Sequence, residues 1–253
     1  REAITHSLLT HPNVLPFLGI HQETEDSPPI IILPFLRHGS LRDRLCSGEL
    51  IDAESFQRIL LGISRGVQYL HSRYPPVVHG DLHPGNVLLD DSGDPNLCDF
   101  GLSRIRHEVT RTYTMLREGG NLRFMAPEFT SSTDEQFRTT REGDIFSLSM
   151  MFLSAWTGKL PFSEFSNPKA AAARLRRLER PSIPNNAVAL TPDVKQGFWD
   201  LLSKMWSQDP SDRPSIDVVV ARLEELFDHC KQASLMIKLQ LSFVSKCQKP
   251  LTN

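Results

Sequence analysis

The chain has little of the chemistry that would tie it to an oxidising compartment, a lipid bilayer or a polyanion. Its cysteines, Cys46, Cys98, Cys230 and Cys247, stand far apart with no C-x-x-C pair. That spacing argues against a disulfide framework or a thiolate zinc site and for isolated thiols in a reducing compartment. No run of about 18 apolar residues and no signal peptide appears, so nothing asks for a membrane. Charge of one sign is also missing: 28 basic against 30 acidic residues give a net −2, which leaves no electrostatic case for nucleic acid or anionic lipid. There is no internal repeat. A cytoplasmic location is the expectation, with the nucleus as the alternative. What is present, 253 residues with 40% hydrophobic composition, suffices for one large core.

The most informative stretch reads V-H-G-D-L-H-P-G-N-V-L-L from Val78 to Leu89, followed by Asp99-Phe100-Gly101. It sets two acids and an amide at the spacing that phosphoryl transfer requires. Asp81 can orient an attacking hydroxyl and accept its proton, Asn86 can hold Mg²⁺, and Asp99 can bind metal bridging the β- and γ-phosphates. Val77-Val78 and Val87-Leu88-Leu89 are short apolar runs around this loop, and the run from Asp90 to Pro95 is a turn signal. Two short strands are therefore expected to clamp the loop, with a hairpin presenting Asp99 beside Asn86. The blander reading, in which Asp81 and Asn86 only cap a turn, does not account for the ordered set.

With these residues in hand, the chain resembles the eukaryotic protein kinase family over nearly its whole length. Met125-Ala126-Pro127-Glu128 is similar to the end of a kinase activation segment, and the run from Trp206 to Pro214 is similar to a late motif of the large lobe. The resemblance implies an α+β fold, a buried Glu128–Arg213 ion pair, and an Asp144 carboxylate that braces the catalytic loop from the start of a central helix. It also implies ATP and Mg²⁺ as cofactors and a protein substrate. The nearest flavour is the tyrosine-kinase-like group of the sort expanded in fungi, acting on serine or threonine. Within it Leu33, Pro34, Phe35 and Leu36 fall on the hinge that meets adenine, with Leu33 as its gate, and Leu88 falls on the floor beneath. His79 is expected to be structural.

The same resemblance divides the chain into a small-lobe remnant over 1–36, a large lobe over 37–228 and a tail over 229–253, with an extra helix expected between Leu235 and Val244. Glu2 falls where the small-lobe helix carries the glutamate that pairs with a strand lysine. The sequence opens with Arg1, and the resemblance implies an opening after that lysine and after the glycine-rich loop that covers the phosphates. Losing one preorganised donor commonly costs about 10²–10³ in rate, so catalysis by the chain alone is expected to be impaired, with weak or no Mg-ATP binding. Local signals place helices after Ser40, Asp52, Thr140, Asn167, Thr191 and Pro214. The helix after Asp52 carries Ile59, Ile63, Val67 and Leu70 at helical spacing and ends near His71, a helix-end histidine favoured by the dipole. The helix after Thr140 shows Ile145, Leu148, Phe152 and Ala155 along one face. Lys169, Arg174, Arg176 and Arg177 read as a solvated face.

Three features depart from the family pattern. By the resemblance, the small-lobe strands are expected to be missing. His83 stands where a lysine usually meets the transferred phosphate, and histidine, with a reference pKa of about 6.5, is largely neutral at pH 7. Asn121 replaces the usual threonine. Gly80 replaces the arginine that often precedes the catalytic aspartate, so phosphorylation at Thr110, Thr112, Tyr113 or Thr114 is expected to be a weak switch. Two rival readings remain. Small-molecule phosphotransferases of the aminoglycoside and choline kinase kind share the 79–86 run, but Ala126-Pro127-Glu128 with Arg213 argues against them. A noncatalytic scaffold built on a kinase large lobe is the other.

Overall fold

A computed structural model describes residues 6–24, 27, 29–48, 51–99, 121–131, 139–182 and 188–228. The fold is α+β, with two small antiparallel sheets set against a helical body. Strands β1 (Gly19–His21) and β2 (Ile30–Ile32) pair with Ile20 opposite Ile31, and β3 (Val87–Leu89) and β4 (Pro95–Leu97) pair with Val87 opposite Leu97. The helices are α1 (Leu41–Cys46), α2 (Ala53–His71), α3 (Pro127–Ser131), α4 (Arg141–Thr157), α5 (Pro168–Arg176), α6 (Pro192–Met205) and α7 over 216–228. Glu2, Phe100, Gly101, the four activation-segment hydroxyl residues and the tail lie outside the described residues.

Helix starts follow from side chains that satisfy the free N–H groups of a first turn. Ser40 and Asp43 form a reciprocal capping box on α1. Asp52 Oδ1 accepts from Glu54 N and Ser55 N at the head of α2, and Thr140 Oγ1 accepts from Gly143 N at the head of α4. Asn167 does the same for α5 through Lys169 N, with Pro168 as the first helical residue. These bonds hold the Asp43 and Asp52 carboxyls below the usual carboxylate range.

The core lies between α2, α4, α6 and α7. Phe56 of α2 packs edge-on to Phe198 of α6 with ring centroids 5.6 Å apart, and Trp156 of α4 meets the same ring at 5.3 Å. Burying each such side chain contributes roughly 1.5–3 kcal/mol. Helix α4 differs from its expected single stripe: every residue from Gly143 to Thr157 except Ser147 is buried. It is surrounded by other elements on all sides, and a helix in that position is apolar all round. Its closeness to α3 depends on Gly143, where a Cβ would lie 2.3 Å from a Phe129 ring carbon.

The β3–β4 hairpin is tied on both edges. Leu97 N donates to Asn13 O and Leu15 N donates to Leu97 O, each at 2.9 Å, while Leu89 N donates to Gly39 O at 3.0 Å. Val77-Val78 form no strand. The Val77 N–H is taken by Leu70 O at the end of α2, so this run finishes a helix instead of joining a ladder.

Candidate active site

The loop from His79 to Asn86 is held from below by one carboxylate. Asp144, 2% exposed near the start of α4, accepts from His79 N and Gly80 N, both at 2.8 Å. The resemblance implied this brace, and the structure adds a third donor: His71 Nε2 lies 2.9 Å from Asp144 Oδ2. His71 is therefore more than a helix end in favour with the dipole. Its ring joins α2 to α4 and adds a hydrogen-bond partner to a carboxylate whose burial would otherwise be costly. Nothing local reveals this, because the partner is 73 residues away.

Above that brace Asp81 and Asn86 meet. Asn86 Nδ2 donates to Asp81 O at 2.9 Å and points at Asp81 Oδ2 at 3.4 Å. With its N–H spent on the loop, the amide presents Oδ1 as the free oxygen. Residues 84–86 form a 3-10 turn capped by His83, whose Nδ1 accepts from Gly85 N at 3.0 Å. That bond fixes the proton of a neutral ring on Nε2, which faces Asp81 Oδ2 at 3.5 Å. His83 thus lies against the aspartate as well as inside its own turn. His79 is fully buried, and Asp81 N approaches its Nδ1 at 3.4 Å. Burial lowers the His79 pKa, against the pull of Asp144, Asp81 and Asp99, so the ring is neutral and structural.

The hairpin delivers Asp99 to the same place. Cys98 N donates to Asn86 O at 3.0 Å, so Asp99 follows directly after the rung that holds Asn86. Asp99 has φ 57°, a left-handed conformation that aspartate tolerates better than most residues, and its carboxylate has no hydrogen bond or ion pair among the described residues. The neighbouring Cys98 thiol is pushed up to about 12 by burial and then by Asp99. Cys46 and Cys98 are free thiols, as isolated cysteines should be.

These donors suit a hard cation. The Asn86 amide oxygen and the Asp99 carboxylate are oxygen ligands, and Mg²⁺ typically takes one or two protein carboxylates with the rest from phosphates and water. Among the described residues no cluster of three or more His, Cys, Asp or Glu forms a self-sufficient metal cage.

Leu33, Pro34 and Leu36 are half-buried, Phe35 is 89% exposed, and Leu88 is half-buried on β3 beside Ser40. Pro34 offers only a carbonyl. It and the Leu36 N–H have no partner among the described residues, which leaves one acceptor and one donor for an adenine edge.

On the far side, Arg213 ties the end of the activation segment to the body. Its side chain is fully buried, donates to both Glu128 oxygens at 2.7 and 2.9 Å and to Glu142 O and Ser207 O, and stacks over Phe146. A second arginine escaped the sequence reading. Arg123, 4% exposed, donates to the carbonyls of Pro161, Phe162, Phe165 and Ser166, clamping the segment before Glu128 onto the loop between α4 and α5. Burial lowers its pKa. The Asn121 side chain lies outside the described residues.

A two-sided site of this kind, with a braced acid loop beneath a hinge, defines a phosphoryl-transfer scaffold. The chain belongs to the protein kinase domain family, which it matches over residues 1–224. Among curated relatives it is 31% identical over 222 residues to Serine/threonine-protein kinase 12 of Arabidopsis thaliana, covering 87% of this chain and 46% of the relative. It is 33% identical to Serine/threonine-protein kinase TNNI3K of Rattus norvegicus, over 89% of this chain and 26% of that protein. Serine/threonine/tyrosine-protein kinase HT1 of Arabidopsis thaliana is 31% identical over 97% of this chain and 58% of its own length. The chain thus spans from about a quarter to somewhat over half of these relatives. The family uses ATP with a divalent metal.

Proposed function

We propose that this chain is the catalytic body of a tyrosine-kinase-like protein kinase that phosphorylates serine or threonine of a protein substrate with Mg-ATP. The observation that carries the reading is the convergence of Asp81 and Asn86 on a loop braced by Asp144, with Asp99 delivered beside them by the hairpin. Asp81 orients the acceptor hydroxyl and takes its proton. His83, which stands where the family usually has a lysine, lies against that carboxylate with Nε2 3.5 Å from Oδ2. Asn86 Oδ1 and Asp99 would hold the metal, and the Pro34 carbonyl, Leu36 N–H and Leu88 side chain would receive adenine. Bound Mg-ATP supplies the phosphoryl group and the positive charge that offsets its negative oxygens. The protein's own contribution is positioning and electrostatics. A cytoplasmic location accords with the sequence.

The test incubates the purified chain with Mg-[γ-³²P]ATP and casein, followed by phosphoamino-acid analysis. Slow labelling of serine and threonine is expected, with Asp81→Asn lowering the rate by about 10²–10⁴ while leaving Mg-ATP affinity by equilibrium dialysis unchanged. Labelling indifferent to Asp81→Asn, or transfer to an aminoglycoside or choline instead of protein, would overturn the proposal. Absence of both labelling and nucleotide binding would leave the scaffold reading in its place.

A further inference from the structure

Behind the catalytic loop, where the end of α2, the start of α4 and the start of α7 converge, the body contains a cavity of about 220 Å³ lined by Gln68, His71, Arg141, Glu142, Arg213 and Asp217 among others. It opens to solvent, since Ser72, Arg141, Ser215 and Asp217 at its edge are exposed. Its volume falls below the ~300–1,000 Å³ of small-molecule pockets and suits a single inserted side chain.

The lining selects the chemistry of that side chain. The His71 side chain is 5% exposed, and its Nε2 is committed to Asp144. Its other ring nitrogen, Nδ1, has no hydrogen-bond partner among the described residues. The Glu142 carboxylate likewise has none. Asp217 accepts from Gln68 Nε2 at 2.7 Å through one oxygen and keeps the other. Arg213 adds no free donors, because its guanidinium is taken by Glu128 and by backbone carbonyls. With the Arg213 charge offset by its ion pair to Glu128, the two carboxylates against the exposed Arg141 leave one negative charge and acceptor oxygens in excess.

We infer that this cavity is a docking socket for a basic side chain, a guanidinium above all, carried by a partner polypeptide. A guanidinium offers five N–H donors in a flat fork and meets the free oxygens of Glu142 and Asp217 together, beside the His71 ring. The same His71 ring bonds the carboxylate that holds His79 N and Gly80 N. An occupied socket therefore pushes on the floor of the catalytic loop. This coupling rests on the kinase reading, whereas the binding does not.

The experiment titrates a Gly-Arg-Gly peptide, blocked at both ends, into the full chain carrying ¹⁵N-labelled histidine and backbone. The expected result is a saturable shift of the His71 imidazole nitrogens, with the His79 and Gly80 amides moving at the same midpoint. Binding should weaken at least tenfold when citrulline replaces arginine and again in the E142Q/D217N double variant, whose changed side chains lie outside the buried brace. No saturable shift, equal binding of the citrulline peptide, or a stronger response to inorganic phosphate would overturn the socket. Binding without movement of His79 and Gly80 would overturn the coupling. Because no readout uses phosphoryl transfer, failure here is distinguishable from failure of the kinase assay.

Discussion

The β1–β2 ribbon and the helical body solve the problem of apolar surface in opposite ways. In the body, Phe56, Ile59, Ile63, Phe146, Phe152, Trp156 and Phe198 are all within 1% of complete burial. In and around the ribbon, Leu18, Ile20, Ile30 and Ile32 are between 44% and 61% exposed. Among the described residues the ribbon has no third strand, and two strands alone are at best marginally stable in water. The body therefore carries the stability, and the chain entering the ribbon is tied to the body where Asn13 and Leu15 hydrogen-bond Leu97.

That contrast can be broken most forcefully at its buried end. Trp156→Ala should cost about 3–5 kcal/mol in urea unfolding, because Phe198 and the surrounding helices lose their shared contact. A smaller loss, about 3 kcal/mol by the same measurement, is expected for Glu128→Ala, which strands the fully buried Arg213 guanidinium with only carbonyl partners. Acid acts more gently. Burial lowers the His79 pKa from 6.5, as it does that of His11, so the unfolded chain binds protons that the folded chain refuses. Stability should therefore fall as pH drops below about 6.5, by at most about 1.4 kcal/mol per pH unit for each group. The His79 ring should remain neutral by ¹⁵N NMR at pH 6, where an exposed histidine is mostly charged. At the ribbon, Ile30→Thr should change stability by no more than about 0.5 kcal/mol. A larger loss there would mean that the ribbon is packed more firmly than its exposure implies.

Much of the body was legible because its signals are local. Ser40, Asp52, Thr140 and Asn167 each announce a helix through a side chain that reaches two or three residues ahead, and the Asp90–Pro95 turn announces the hairpin that carries Asp99. The convergence of Asp81 and Asn86 is also local, five residues apart. The Glu128–Arg213 pair and the Asp144 brace came from resemblance alone, since no spacing rule links residues so distant. What stayed hidden depends on long-range contacts between groups with innocuous neighbours. His71 looked like an ordinary helix end, Arg123 carried no local signal of its four carbonyl partners, and the all-round burial of α4 followed from what surrounds it and not from its own period.

Leu97 is a shared rung: it pairs with Val87, receives Leu15 N, gives its own N–H to Asn13, and stands two residues before Asp99. Gly66 lets α2 press close against it, since a Cβ there would lie 2.8 Å from both Asn13 O and a Leu97 methyl. Residues 13–15 thus share their backbone hydrogen bonds with the rung that stands two residues before Asp99. The entry to the ribbon and the hairpin that carries Asp99 are one hydrogen-bonded unit, so a change of register in either must be matched in the other.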